Sequence, residues 1–92
     1  MSERLFETFD ALGEALVEAG IGRIVMREIC EIRPWPGEGH RVTVGLVHRA
    51  TFLAYHQGTV WQCHVTGDQL AECQTWLLNR GIHIKKVSGN IA

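Results

Sequence analysis

The sequence predicts an α+β fold, a two-layer sandwich in which an antiparallel meander sheet is covered on one face by two helices, in the order α-β-β-β-β-α-β. Three observations carry this expectation. Apolar residues recur at helical spacing in the first twenty residues, alternation at period two takes over from Arg23, and helical spacing returns between Thr66 and Gly81. Residues 1–92 read as a single domain, without an internal repeat or low-complexity segment.

Ser2 is the expected N-cap of the first helix, along which Leu5, Phe9, Leu12 and Leu16 recur at spacings of four, three and four. At about 100° per residue these four lie opposite Glu3, Glu7, Asp10, Glu14 and Glu18, a stripe whose simplest role is solvation. Gly20 and Gly22 end the helix. "RIVMREICEIR", residues 23–33, places Ile24, Met26, Cys30 and Ile32 on one face and Arg23, Arg27, Glu31 and Arg33 largely on the other, as a strand does. "PWPGEG" is a loop, because its prolines and glycines continue neither a ladder nor a helix. "HRVTVGLVH" alternates again and is expected to turn at Arg49 to Thr51. "FLAYH" and "TVWQCHV" then flank Gln57-Gly58, a two-residue hairpin connection. Thr66, with Gln69 three residues on, opens a second helix whose apolar face is Leu70, Cys73 and Leu77, with Trp76 at its edge. Gly81 stops it, and "IHIKKV" is the last strand.

The chain is 46% hydrophobic and 21% charged, which is globular rather than disordered composition. A domain of 92 residues buries only roughly 60–65% of the surface its unfolded chain exposes, so its core is small. The net charge of −1 conceals a division: residues 1–20 carry five acids against Arg4 alone, a net of −4, and the remaining 72 residues carry +3. The opening "MSERLFETFD" is acidic and leads into no long apolar run, so neither a secretory signal nor a membrane segment is expected. Cys30, Cys63 and Cys73 form no CxxC pair and fall where apolar residues fit, which points to buried thiols and a reducing cytoplasm.

His40, His48, His56 and His64 fall eight apart. A metal requires its ligands about 2 Å from one ion. His40 and His48 would instead stand roughly 26 Å apart along one strand, and His56 and His64 fall on opposite faces by parity. No metal and no cofactor is therefore expected. Glu28 and His56 form the one pair that a register with Val44 and Thr59 brings onto a shared rung, as a weak ligand site or two solvated groups at an uncovered rim.

The outer sheet face is more informative. The expected register groups Val25, Val47 and Leu53, then Arg27, Gly45, Tyr55 and Val60, with Ile29 and Thr43 beyond. A fully solvated antiparallel face is mostly polar, whereas this one has an apolar centre ringed by Arg23, Arg27, Arg33 and Arg41. The competing reading is β-branched residues scattered for strand propensity. Trp35, between two prolines, either folds onto the core or is displayed beside Tyr55.

The function these residues favour is a small non-catalytic interaction module that docks through the sheet face. It would act as a homodimer, an adaptor or an inhibitor of the phage-encoded or host-regulatory kind. Nucleic-acid or anion binding through the arginines and aromatics is the alternative, weighed against by a pI near 6.5 and the lack of an RNP or GxxG signature. An enzyme ranks third, because the chain has no activated-nucleophile motif and no phosphate-binding glycine loop, and no catalytic residue is assigned.

Overall fold

The computed structural model describes residues 2–34 and 43–91, and the side chains of 2–29 and 49–87. It is an α+β fold built on one mixed five-stranded sheet with two helices. In chain order the elements are β1 (Ser2–Leu5), α1 (Phe9–Ala19), β2 (Arg23–Pro34), β3 (Thr43–His56), β4 (Thr59–Thr66), α2 (Leu70–Asn79) and β5 (His83–Ile91). The sheet order is β1-β4-β3-β2-β5. Strands β2, β3 and β4 form the antiparallel meander, but each edge strand is parallel to its neighbour, β1 to β4 and β5 to β2. Both parallel additions follow from the helices. A strand that follows a helical crossover returns in the direction of the strand before it.

Two expectations are corrected. Ser2–Leu5 is an edge strand rather than the first turn of a helix, its ends held by Ser2 N–H to the Gly58 carbonyl (3.3 Å) and Phe6 N–H to the Gln62 carbonyl (2.8 Å). Thr8 is the N-cap instead, its hydroxyl accepting from the Ala11 N–H at 3.2 Å. The expected turn at Arg49 to Thr51 is continuous strand, because Arg49, Ala50 and Thr51 pair with Ile29, Glu28 and Arg27 on one side and with Thr66, Val65 and His64 on the other. No glycine or proline interrupts that stretch, and Ala50 is buried against the core. Instead the register shifts once, between Ile29 and Cys30.

Residues 35–42, which hold most of the expected PWPGEG loop, lie outside the described residues, and Pro34 closes β2; the turn and cap signals that are described act as expected. Gln57 and Gly58 both take positive φ, 48° and 76°, as a type I′ hairpin turn requires. Thr66 N–H donates to Gln69 Oε1 at 3.3 Å, opening a short 3-10 turn that runs into α2. The two helices end alike. Gly20 and Gly81 take φ of 68° and 72°, and the isoleucine after each, Ile21 or Ile82, donates its N–H to the Leu16 or Leu77 carbonyl at 3.0 Å.

Both helices pack on the same face of the sheet. Leu12 and Leu16 of α1 and Leu70, Cys73 and Leu77 of α2 share one buried cluster with Ile24, Met26, Ala50, Phe52, Ala54, Cys63 and Val65 of the strands. The Phe9 ring lies 5.2 Å from the Phe52 ring, and Gln74 Nε2 lies 3.4 Å from Met26 Sδ. The helices meet where buried Gly13 faces the Trp76 indole, so close that a Cβ on residue 13 would stand 2.7 Å from the ring. That ring cannot withdraw freely, because Phe9 abuts it edge-on at 5.7 Å and the Arg80 guanidinium covers it at 3.7 Å.

Gly13→Ala therefore sets a helix-propensity gain of about 1 kcal/mol against an overpacking cost of about 1–3 kcal/mol. Chemical denaturation should show net destabilisation of about 1 kcal/mol in the natural chain and a gain of similar size in a Trp76→Leu background. Additive effects of the two substitutions would contradict the contact.

Burial also governs the thiols. Desolvation pushes Cys63 up and, with the adjacent Cys63, Glu72 and Asp10 charges, pushes Cys73 from an ordinary 9.0 to about 11. Both should resist alkylation in the folded protein near pH 8 and react once the chain is unfolded in urea. Because the folded state holds these protons more tightly, stability is at its full value below about pH 9 and falls as pH rises toward 11. Rapid alkylation of Cys73 in the folded state would contradict its burial.

Candidate functional site

The helices leave the other sheet face uncovered, and the register states what stands on it. One rung carries Leu5, Gln62, Leu53, Val25 and Lys85 across all five strands. Beside it lie Glu3, Val60 and Tyr55, with Arg23 and His83 paired on the other half of the sheet. On the opposite side of the central rung are His64, Thr51, Arg27 and Val87, followed by Thr66, Arg49 and Ile29. A strand shows alternate residues to alternate faces, and Ile24, Met26, Phe52, Ala54 and Cys63 are the buried alternates of this set.

The centre of this face is apolar and its margin is charged. Val25, Leu53, Val60 and Ile29 are half-buried by their neighbours, while Tyr55 is 65% exposed, Leu5 59% and Val87 41%. Arg23, Arg27, Arg49 and Lys85 are exposed around them, with Glu3 the acid among the described side chains of this face. Thr51 Oγ1 and His64 Nδ1 share a hydrogen bond of 2.8 Å, which ties the β3 and β4 side chains together on the surface.

Of the residues expected at this site, Val25, Arg27, Ile29, Leu53, Tyr55 and Val60 do lie on one face. Two rung assignments change. Tyr55 and Arg27 are not level with one another, because Arg27 pairs with Thr51. Val47 pairs with Cys30 beyond the register shift and not beside Val25 and Leu53. Both changes come from the missing turn, since a β3 that runs straight through residue 50 slides its earlier half along β2 instead of folding it back. Trp35 and Arg41 lie outside the described residues.

Two members were missed. Leu5 escaped because the alternation of a four-residue edge strand is too short to compete with a helical pattern. Val87 escaped because alternation along the last strand cannot reveal that it lies parallel to β2. The period-two spacing Lys85 and Val87 was the signal available for the second.

The same register separates Glu28 from His56. Glu28 pairs with Ala50, whereas His56 pairs with Thr59, and Ala50 and His56 stand on the order of 20 Å apart along β3. The His56 ring instead rests on Trp61 at 5.1 Å. Trp61 also meets Phe6 edge-on at 5.8 Å, and the Arg4 guanidinium lies 4.4 Å from the Phe6 ring, so this end of the helix-bearing face is an aromatic cluster capped by a cation. Glu28 and His56 thus form no common ligand site.

Between α1 and α2 runs a groove of about 460 Å³ that includes Glu7, Asp10, Glu72, Cys73 and Trp76. Its thiol is held protonated well above neutral pH, so it lacks the thiolate that nucleophilic chemistry uses. Among the described residues no helix is long and apolar enough to cross a membrane. No protein-family model matches the chain, and no curated protein matches it.

Proposed function

We propose that the protein is a small non-catalytic interaction module that docks a protein partner on the uncovered face of its sheet. The observation that carries this reading is the apolar group Val25, Leu53, Tyr55 and Val60 on neighbouring strands, with Leu5 beyond Gln62 at one edge and Val87 beside Arg27 at the other, left bare by both helices and accompanied by arginines and a lysine. An apolar centre within a polar and arginine-bearing rim is the composition of interfaces, and Tyr and Arg are enriched among the residues that dominate binding energy. A stable interface needs about 800 Å² from each partner, which a five-stranded sheet in a domain of this size can offer.

The test is association in solution. Leu53→Asp and Tyr55→Asp should each remove partner binding while the circular dichroism spectrum stays that of the natural chain and unfolding stays cooperative, its midpoint lowered by only a few degrees. Undiminished binding by both folded variants removes this reading.

A further inference from the structure

Resting on that reading, we infer that the occupant of the sheet face is an acidic protein surface with an apolar centre, and not a second copy of this chain. Charge complementarity selects this occupant. Among the described side chains of this face, Arg23, Arg27, Arg49 and Lys85 stand against Glu3 alone, a net of +3, although the whole chain carries −1. Among the described acids, Glu7, Asp10, Glu14 and Glu18 are exposed on or beside α1, on the opposite layer.

A two-fold dimer through the sheet would set the same patch against itself. It would therefore bring together two copies of the described patch, each of net +3, and like charges opposed across an interface cost several kcal/mol. An acidic rim on the partner reverses the sign of that term and also speeds encounter. The apolar centre decides between an acidic protein and a nucleic acid. Leu5, Leu53, Val25, Val60 and Val87 are aliphatic and give bases nothing to stack on, and beside the His64 and His83 imidazoles Tyr55 is the one Phe, Tyr or Trp ring among the described residues of this face. Single-strand binders rely on several such aromatics.

Fluorescence anisotropy on the full chain tests this with four labelled probes: a short peptide alternating leucine and glutamate, its lysine counterpart, a glutamate–serine peptide, and an oligothymidylate. The leucine–glutamate peptide should bind at least ~10-fold more tightly than each of the others. Its affinity should fall as salt rises and fall again in Arg27→Glu/Lys85→Glu, a pair of exposed positions whose change leaves the core untouched. The protein should remain monomeric by light scattering at the same concentrations.

Tighter binding of the lysine peptide, still lost in Leu53→Asp, would overturn the acidic assignment and leave the docking face standing. A dimer dissolved by Leu53→Asp would do the same. Oligothymidylate bound as tightly as the acidic peptide would overturn the inference in favour of nucleic acid. Peptide binding indifferent to both Leu53→Asp and Tyr55→Asp would overturn it together with the docking face itself.

Discussion

Phe52→Ala is expected to cost about 3–5 kcal/mol of folding stability, as deletion of a fully buried phenylalanine generally does. Phe52 is 0% exposed, sits on the central strand, and pairs with Met26 on one side and Cys63 on the other. Its ring also anchors α1 through Phe9, so the cavity left by truncation would lie between the layers where neither can collapse onto it. A domain of this size has roughly 5–10 kcal/mol to lose. Urea titration followed by circular dichroism should therefore place the variant's midpoint far below that of the natural chain. A midpoint within experimental scatter of the natural one would contradict the placement of Phe52 at the core.

The neighbouring residue should behave in the opposite way. Leu53 points to the uncovered face, between Val25 and Gln62, and Leu53→Asp creates no cavity. Its folding penalty combines the low strand propensity of aspartate with the lost apolar contacts of a half-buried leucine, about 1–2 kcal/mol, well below that of Phe52→Ala. Binding is another matter, because an aspartate at the centre of a desolvated apolar patch leaves a charge without a partner. A hot-spot residue at the centre of an interface contributes about 2 kcal/mol or more, which is about a 30-fold loss of affinity. Tyr55→Asp serves as the companion variant, since at 65% exposure its ring contributes little to folding and its loss is felt only in the complex. Two adjacent positions on one strand thus separate stability from association.

That separation shows how much of the molecule is legible in the chain. The alternation of Phe52, Ala54, Trp61 and Cys63 against Leu53, Tyr55, Val60 and Gln62 is a local property, and the positive-φ turn at Gln57-Gly58 sets the register between those two strands. The face that each residue takes in this hairpin follows from parity alone. The helix ends at Gly20 and Gly81 and the buried stripe Leu70, Cys73 and Leu77 are local for the same reason.

Long-range pairing is what the chain conceals. Ser2–Leu5 has the composition of a helix start and becomes a strand only because β4 offers an unpaired edge. Propensity differences of a few tenths of a kcal/mol per residue yield to a row of backbone hydrogen bonds. The stretch Arg49 to Thr51 looks like a boundary between two short strands and is instead spanned by β2, whose twelve residues are long enough to pair with both halves. The Glu28–His56 pairing depended on that boundary and is lost with it. Six of the expected face residues come together because their grouping needed only parity within β2, β3 and β4.

The bare sheet face is the surface proposed to meet the partner. The measurement that reaches it most directly is photocrosslinking in cells that make the protein, with a photoreactive residue in place of Tyr55 and, as a control, in place of Glu14 on the exposed surface of α1. Docking on this face should give one discrete adduct from position 55, its yield falling to background when Leu53→Asp is added, and no such adduct from position 14. Adducts of equal yield from both positions, or a position-55 adduct untouched by Leu53→Asp, would contradict it.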